Sequence, residues 1–304
     1  MPDDFEVVDG MSLPRATVLE VLSQGYGRPF GEEWFEWKHV LNPWGPSRCY
    51  VALDADGPLG VVFGQPWHLR VGDTAVAASR LVDGATLPRS VRRGVFRTVV
   101  AAELAQWHVG SSPGVVIATA TPEARAAHVK NGAAALEPVS FVARSARWSR
   151  AALSSGLTVL DDWAGSGERF GELASTAWVP EALRWRLDPR SGHRYEASRL
   201  AQSDSPHGVV HRTVAGRVRT LVVTARWGDA ALARRTIAAA ALRERAVVVL
   251  EPMGGGTLVP LPRLALRRSS SLLCVWDRSA SGDSARFARR EGWALDGLDL
   301  EGVI

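Results

Sequence analysis

An internal repeat constrains the fold of this chain more than any other feature of its 304 residues. Residues 37–43 read WKHVLNP and are followed by CYVA at residues 49–52. A similar pair of segments returns as WRLDP at residues 185–189 and RYEA at residues 194–197. Because about half of the chain separates the two pairs, the repeat predicts two related domains in tandem.

The length of the chain agrees with two domains, since domains of about 150 residues are large enough to bury their own cores. We place the domains at residues 1–150 and 151–304, joined by a linker of small residues at 149–156. The second domain is expected to be a degenerate copy that is structural or shapes the site of an acceptor molecule.

Only the first copy carries an arginine-flanked turn before its central helix. Residues 87–96 read LPRSVRRGVF, whereas residues 221–229 of the second copy lead directly into a helix. The first amides of a helix are unpaired and can bind an anion. Gly94 would let a ligand approach the backbone, and Arg92 and Arg93 would add charged donors. The sequence predicts a phosphate site here, and a basic solvated turn is the open alternative.

The order of apolar patterns predicts a fold of the α/β class. Its sheets are expected to mix antiparallel and parallel strands, as in α+β proteins, and to be flanked by helices. Helices come first, then an antiparallel meander, then alternating strands and helices. We expect a strand at residues 135–142 in the first domain and one at 271–276 in the second. A further helix is expected near residues 170–178.

Composition excludes several classes of protein. No apolar run approaches the roughly 20 residues of a membrane span, so we expect a cytoplasmic protein without a membrane partner. The pI is about 9.6, but nearly all basic residues are arginines scattered among acidic ones, so no nucleic-acid partner is expected. The two cysteines exclude a cysteine-rich metal site. No Walker or dinucleotide-binding motif is present.

Around the arginine-flanked turn the chain resembles the GNAT superfamily of N-acetyltransferases. Residues 91–96 (VRRGVF) fall on the family's Arg/Gln-x-x-Gly-x-Gly/Ala loop and match its central glycine, departing at Val91 and Phe96. Residues 127–133 (AHVKNGA) fall on the segment where the family often has a tyrosine, a place that His128 occupies. The repeated tryptophan segment resembles a subgroup with two fused domains. The likeness covers about residues 5–145 and, less closely, 157–304.

The resemblance implies transfer of an acetyl group from acetyl-CoA to the amine of a small molecule by direct attack in a ternary complex, without a metal. His128 would be the general acid, and Asp83 is the candidate base, with Glu32 and His39 as alternatives. The residues implied to hold coenzyme A are Ala85, Thr86, Leu87, Arg92, Arg93, Gly94, Val95, Phe96 and Thr121.

Two other functions stay open. The acyl donor could be bound to an acyl carrier protein, whose phosphopantetheine lacks the adenosine diphosphate. Alternatively, both halves could be degenerate, leaving a non-catalytic coenzyme A-binding or scaffold protein. Most of the 12 tryptophans are expected in the core, while Trp34, Trp44 and Trp67 are placed to line an apolar cleft.

Overall fold

The computed structural model of the chain describes residues 5–72, 74–106, 114–136, 140–146, 156–159, 174–205, 207–252, 264–268, 272–277, 287 and 293. The chain divides into two compact units. The first comprises Met1–Glu137 and Ser271–Gly292, and the second Pro138–Ser270 and Trp293–Ile304. The two units are thus not the contiguous segments that the sequence predicts, and residues 149–155 of the expected linker lie outside the described residues.

Helices and strands both occur throughout the described part of the chain. In order they are β1 (Glu6–Asp9), α1 (Arg15–Tyr26), α2 (Glu32–Phe35), a π-helix (Glu36–Val40), β2 (Arg48–Asp54), β3 (Gly57–Val71), β4 (Thr74–Thr86), a 3-10 helix (Pro88–Ser90), α3 (Val95–Gln106), β5 (Val115–Ala120), α4 (Pro122–Lys130), β6 (Ala134–Ala135), β7 (Ser140–Ser145), β8 (Leu157–Val159), β9 (Ala174–Thr176), α5 (Pro180–Arg186), β10 (Tyr195–Leu200), β11 (His207–Val214), β12 (Thr220–Gly228), α6 (Ala230–Arg243), β13 (Val248–Pro252), β14 (Leu264–Arg268) and β15 (Leu272–Asp277).

The two sheets repeat one pattern of strand order and direction. The sheet of the first unit runs β1-β2-β3-β4-β5-β15-β6, and that of the second runs β8-β10-β11-β12-β13-β7-β14. In each sheet the fourth and fifth strands pair in parallel, as β4 with β5 and β12 with β13. The other neighbours in these orders pair antiparallel.

The sixth strand of each sheet comes from the other half of the chain. β15 pairs with β5 and β6 in the first unit, whereas β7 pairs with β13 and β14 in the second. The sequence predictions placed these two strands in the opposite domains and were wrong on this point. Local sequence predicts that each segment is a strand, but it does not specify which of two sheets with the same strand order the segment joins.

Alternating side chains of the first sheet build a core on each face. Val61 and Phe63 pack with α1, whereas Val62 and Trp276 pack with α3. The helix α3 is further fixed by its buried Glu103, whose Oε1 lies 2.6 Å from Nη2 of Arg48 on β2. The Arg48 guanidinium is partly exposed, and its charge-assisted hydrogen bonds to both oxygens of Glu103 join the helix to β2.

Most helices and strands confirm the sequence predictions, including α4, which begins with Pro122 after the capping residue Thr121. The helix expected near residues 170–178 is wrong where the chain is described, since Ala174–Thr176 forms a strand and residues 170–173 lie outside the described part. Among the described residues, no helix combines the length and the apolar character needed to cross a membrane.

The exchange of strands predicts that the fragment of residues 1–150 does not fold stably. The fragment lacks β15, so the edge of β5 is left unpaired and apolar core surface is exposed. We expect the fragment to aggregate in size-exclusion chromatography and to bind a hydrophobic dye.

A matched chimera provides the control. In it, a flexible linker joins Glu137 to Ser271 and restores residues 271–292. Because β6 and β15 are antiparallel neighbours, with Ala135 opposite Cys274, a short connection can span them. We expect this chimera to be more soluble than the fragment. Equal solubility and equal dye binding of the two proteins would contradict the role assigned to β15.

Candidate functional site

The parallel strands β4 and β5 separate at one end of the first sheet. Their pairing runs from Ala78 and Val115 to Leu81 and Ala118. Beyond that point β4 continues to Thr86, and in the described part of the chain its last residues have no partner on β5. An extended molecule that carries amide groups can add to such a strand edge through main-chain hydrogen bonds.

A β-bulge lies at the point where the strands separate. Phe63 of β3 is paired with Val82 and Val61 with Ala85, so β4 has one extra residue in this interval. That residue is part of the Asp83–Gly84 pair, and Asp83 has a φ of 49°, in the left-handed region. A bulge bends the strand and redirects its backbone groups, and bulges of this kind are frequent beside active sites.

Gly84 allows an aromatic ring to lie directly against the bulge. A Cβ atom on Gly84 would be 2.5 Å from Cε2 of Phe96, the second residue of α3. The Phe96 ring also contacts the ring of His128 edge to face, with 5.3 Å between centroids. Phe96 therefore links the bulge, the arginine-flanked turn and α4, which the sequence predictions treated separately.

Two consecutive residues of the π-helix contact the bulge carboxylate. Nζ of Lys38 lies 2.8 Å from Oδ2 of Asp83, and Nε2 of His39 lies 3.3 Å from the same oxygen. Burial raises the pKa of Asp83, but the Lys38 charge and the His39 ring outweigh burial and hold it well below its usual range. Asp83 is therefore a fixed carboxylate at neutral pH, and its lowered pKa weakens it as a base.

The turn after β4 is closed by backbone hydrogen bonds. Leu87 donates its N–H to the carbonyl of Leu59, and its own carbonyl accepts from the N–H and the hydroxyl of Ser90. Both backbone groups of Leu87 are therefore engaged. Gly94 has a φ of 82° and precedes α3, whose first amides point out of the helix without intrahelical acceptors.

The arginines of the turn have different surroundings. Nη1 of Arg93 lies 3.0 Å from Oδ2 of Asp54, and Arg89 lies 3.6 Å from the same carboxylate. Arg92 is exposed and takes part in none of the ion pairs found among the described residues. Arg93 thus braces the turn against the β2–β3 connection, while Arg92 points to solvent at the mouth of the predicted anion site.

The corresponding place in the second unit is closed to an anion. The carboxylate of Asp229 caps α6 and accepts hydrogen bonds from the amides of Ala231 and Leu232, at 2.9 and 2.8 Å. The amides that a phosphate would need are therefore occupied by a negative charge. The anion site of the first copy stays a prediction.

His128 is buried, with 3% of its surface exposed, between Phe96 and Trp276. Its Nδ1 atom has no hydrogen-bond partner among the described residues. Burial lowers the pKa of His128 from 6.5 to about 4, so the ring is neutral at physiological pH. Thr121, at the start of the same helix, uses its hydroxyl to cap the amide of Ala124.

The other residues considered from the sequence lie in different surroundings. Glu32 forms an exposed ion pair with Arg15, away from the bulge. Trp34 contacts His39 edge to face, with 5.3 Å between centroids, while Trp44 contacts the buried Trp67. Trp67 is therefore a core residue, as most of the tryptophans were expected to be.

Sequence reasoning missed two residues at the bulge. Lys38 pairs with Asp83, and the Tyr26 hydroxyl donates to the Gly84 carbonyl at 3.3 Å. The sequence does set Lys38 apart, because it is one of only two lysines among 36 basic residues. Nothing in the local sequence marks Tyr26.

The fold of this chain is found in several solved structures. A GCN5-related N-acetyltransferase from Anabaena variabilis matches with a TM-score of 0.67 and 10% identity, over 90% of this chain and 73% of that one. A probable N-acyltransferase of unknown function from Enterococcus faecalis gives 0.63 and 12%, over 90% and 72%. A GCN5-related N-acetyltransferase from Kribbella flavida gives 0.64 and 14%, over 90% and 71%.

These likenesses establish the fold, which is that of the GCN5-related N-acetyltransferases. They confirm the predicted fold class and the resemblance to the GNAT superfamily. No protein-family model and no curated protein matches the sequence. Among the described residues, no group of three or more His, Cys, Asp or Glu side chains is arranged to hold a metal ion.

The lowered pKa of His128 predicts a pH-dependent stability. As pH falls below about 6.5, the unfolded chain binds a proton at His128, whereas the folded protein does so only near pH 4. The free energy of unfolding therefore falls across this window, by up to about 3 kcal/mol from this group. The free energy of unfolding, measured by urea titration at pH 7 and at pH 4.5, should therefore differ less between the two pH values in His128→Leu than in the wild type.

His68→Leu is the control, because His68 is exposed on β3. It should keep the pH dependence of the wild type. If His128→Leu and wild type lose equal stability between the two pH values, His128 is not the buried neutral ring described above.

Proposed function

We propose that this protein is an acyltransferase that transfers an acetyl group from acetyl-CoA to the amine of a small molecule. The observation that carries this proposal is the separation of β4 from β5 beside the turn that leads into α3. The first feature offers a strand edge to the pantetheine amides, and the second offers helix amides and arginine charge to a pyrophosphate. The two features lie next to each other in the first unit.

In this proposal the donor lies along β4. The backbone groups of Ala85 and Thr86 align the pantetheine arm, but Leu87 is left out because both its backbone groups are already bonded. The amides of Gly94, Val95 and Phe96 bind the pyrophosphate together with Arg92. Arg93 contributes charge to the turn while it remains paired with Asp54. Thr121, which follows the end of β5, lies beside the opening.

The reaction joins the amine nitrogen to the acyl carbon and breaks the carbon–sulfur bond. The leaving thiolate takes up one proton, and the amine loses one. His128 is the proposed donor to the thiolate, since a neutral imidazole can donate from one ring nitrogen. Asp83 remains a candidate base, although its pairing with Lys38 and His39 makes it a weak one.

Free coenzyme A is favoured over a carrier-bound donor by the arginine-flanked turn. A carrier-bound phosphopantetheine lacks the adenosine diphosphate, so the positive charge and the helix amides would have less anionic charge to bind.

A negative charge introduced into the turn tests the donor site. Gly94→Glu places a carboxylate where the pyrophosphate is proposed to bind, and a Cβ there would meet nothing within 4 Å. We expect acetyl-CoA affinity to fall about 100-fold or more, since two lost charge-assisted hydrogen bonds amount to about 3 kcal/mol or more. Calorimetry on the wild type should show a single site per chain.

Gly192→Glu is the matched control, because Gly192 also has a positive φ, of 78°, and open space around its Cβ position. It lies in the second unit and should bind acetyl-CoA normally. Two equivalent sites in the wild type, or equal affinities of the two variants, would show that the donor binds elsewhere.

The proposed role of His128 predicts a loss of rate without a loss of donor binding. His128→Leu removes the proton donor, so kcat should fall about 10²–10⁴-fold while acetyl-CoA affinity stays nearly unchanged. Because the wild-type ring is neutral above about pH 4, its titration should produce no change in rate between pH 6 and 9. Near-normal kcat in the variant, with chemistry rate-limiting, would assign the proton to solvent.

A further inference from the structure

Three side chains from outside the sheet converge on the bulge at Asp83 and Gly84. Lys38 and His39 approach the Asp83 carboxylate, and Tyr26 approaches the Gly84 carbonyl. Lys38 and His39 are buried, with 7% and 0% of their surfaces exposed. A buried ion pair costs much desolvation free energy and adds little net stability, so its presence at this bulge calls for another explanation.

The π-helix brings Lys38 and His39 to one carboxylate. Successive side chains of an α-helix point about 100° apart and do not normally share a partner. The carbonyl groups of these two residues are fixed as well, since Lys38 accepts from Gln65 at 2.9 Å and His39 accepts from the Ser47 amide at 2.8 Å. Single π-helical turns occur frequently at functional sites.

The ring of His39 connects this segment to the strand opposite the bulge. It stacks on Phe63, with 3.8 Å between centroids, and its Nδ1 lies 3.1 Å from the Ser47 hydroxyl. Phe63 is the β3 residue paired with Val82, immediately before the bulge. The bulge is therefore braced through its carboxylate and through its neighbouring strand.

Tyr26 fixes the other half of the bulge. Its hydroxyl donates to the Gly84 carbonyl, and a peptide group is planar and trans. The N–H of Ala85 belongs to the same peptide group and must point away from Tyr26. The hydrogen bond thus sets the direction of one amide on the strand where the acyl donor is proposed to lie.

We propose that Tyr26 and Lys38 are positioning residues that hold the Asp83–Gly84 bulge, and with it the backbone of β4, in the orientation needed by the acyl donor. This inference rests on the proposed acyltransferase function. It assigns Asp83 the role of an anchor for the strand, held by the Lys38 charge and by its contact with the His39 ring. Asp83 also tolerates the left-handed backbone better than most residues do.

The first experiment measures the bulge itself. Hydrogen exchange of the β4 amides, followed by mass spectrometry, is compared in the wild type, Tyr26→Phe and Lys38→Met. Exchange at residues 82–86 should become at least about fivefold faster in both variants, since a hydrogen bond contributes about 1 kcal/mol. Tyr50→Phe and Lys130→Met are matched controls away from the bulge and should exchange as the wild type does. Unchanged exchange in Tyr26→Phe and Lys38→Met would overturn the anchoring role.

The second experiment measures catalysis as thiol release from acetyl-CoA with a panel of primary amines. We expect kcat to fall about tenfold in Tyr26→Phe and about 100-fold in Lys38→Met, because a misplaced backbone costs rate. The KM for acetyl-CoA should change less than about threefold, and Lys38→Arg should recover most of kcat. A purely structural role would instead lower the amount of folded enzyme and leave kcat per active site unchanged.

The outcomes separate the two proposals. If the wild type releases no thiol and binds no acetyl-CoA, the proposed function fails, while the exchange measurement still decides whether the anchor exists. If the wild type is active and the variants show a looser bulge with normal kcat, the positioning inference is overturned and the proposed function stands.

Discussion

The neutralised carboxylate of Asp83 is the interaction on which the rest of the site depends. It lies at the point where β4 leaves β5, and its charge is compensated from a different layer of the fold by Lys38. Without that compensation a buried carboxylate would be too costly to keep in this backbone conformation. The bulge lies between the last residue pair of β4 and β5 and the turn before α3, so it adjoins both parts of the proposed donor site.

The sequence predicts the fold where its patterns are periodic and local. The repeat of tryptophan segments, the Asp54–Gly57 turn and the capped start of α4 all correspond to described structure. What it does not predict is pairing between distant strands, because β7 and β15 each pair with strands far away in the sequence. Long-range pairing depends on which strand edge of each sheet is free, and this cannot be predicted from the local patterns of a single sequence.

The same distinction applies to the site. Gly94 and Arg92 were proposed from a contiguous motif, and His128 from a segment that resembles the one where the GNAT superfamily often has a tyrosine. The anchoring of Asp83 needs residues separated by 45 positions in sequence, which no spacing rule connects. The environment of His128 could not be predicted from the sequence either, because its pKa of about 4 results from burial in the packed structure.

The exchanged strand has a consequence for the synthesis of the protein. The first unit needs β15, which leaves the ribosome more than a hundred residues after β6. At about 5–20 residues per second, the first sheet lacks this strand for roughly seven to thirty seconds. During that time the edge of β5 is a template for any other strand, including one from a neighbouring nascent chain. Translation rate and chaperone access therefore become determinants of the yield of native protein.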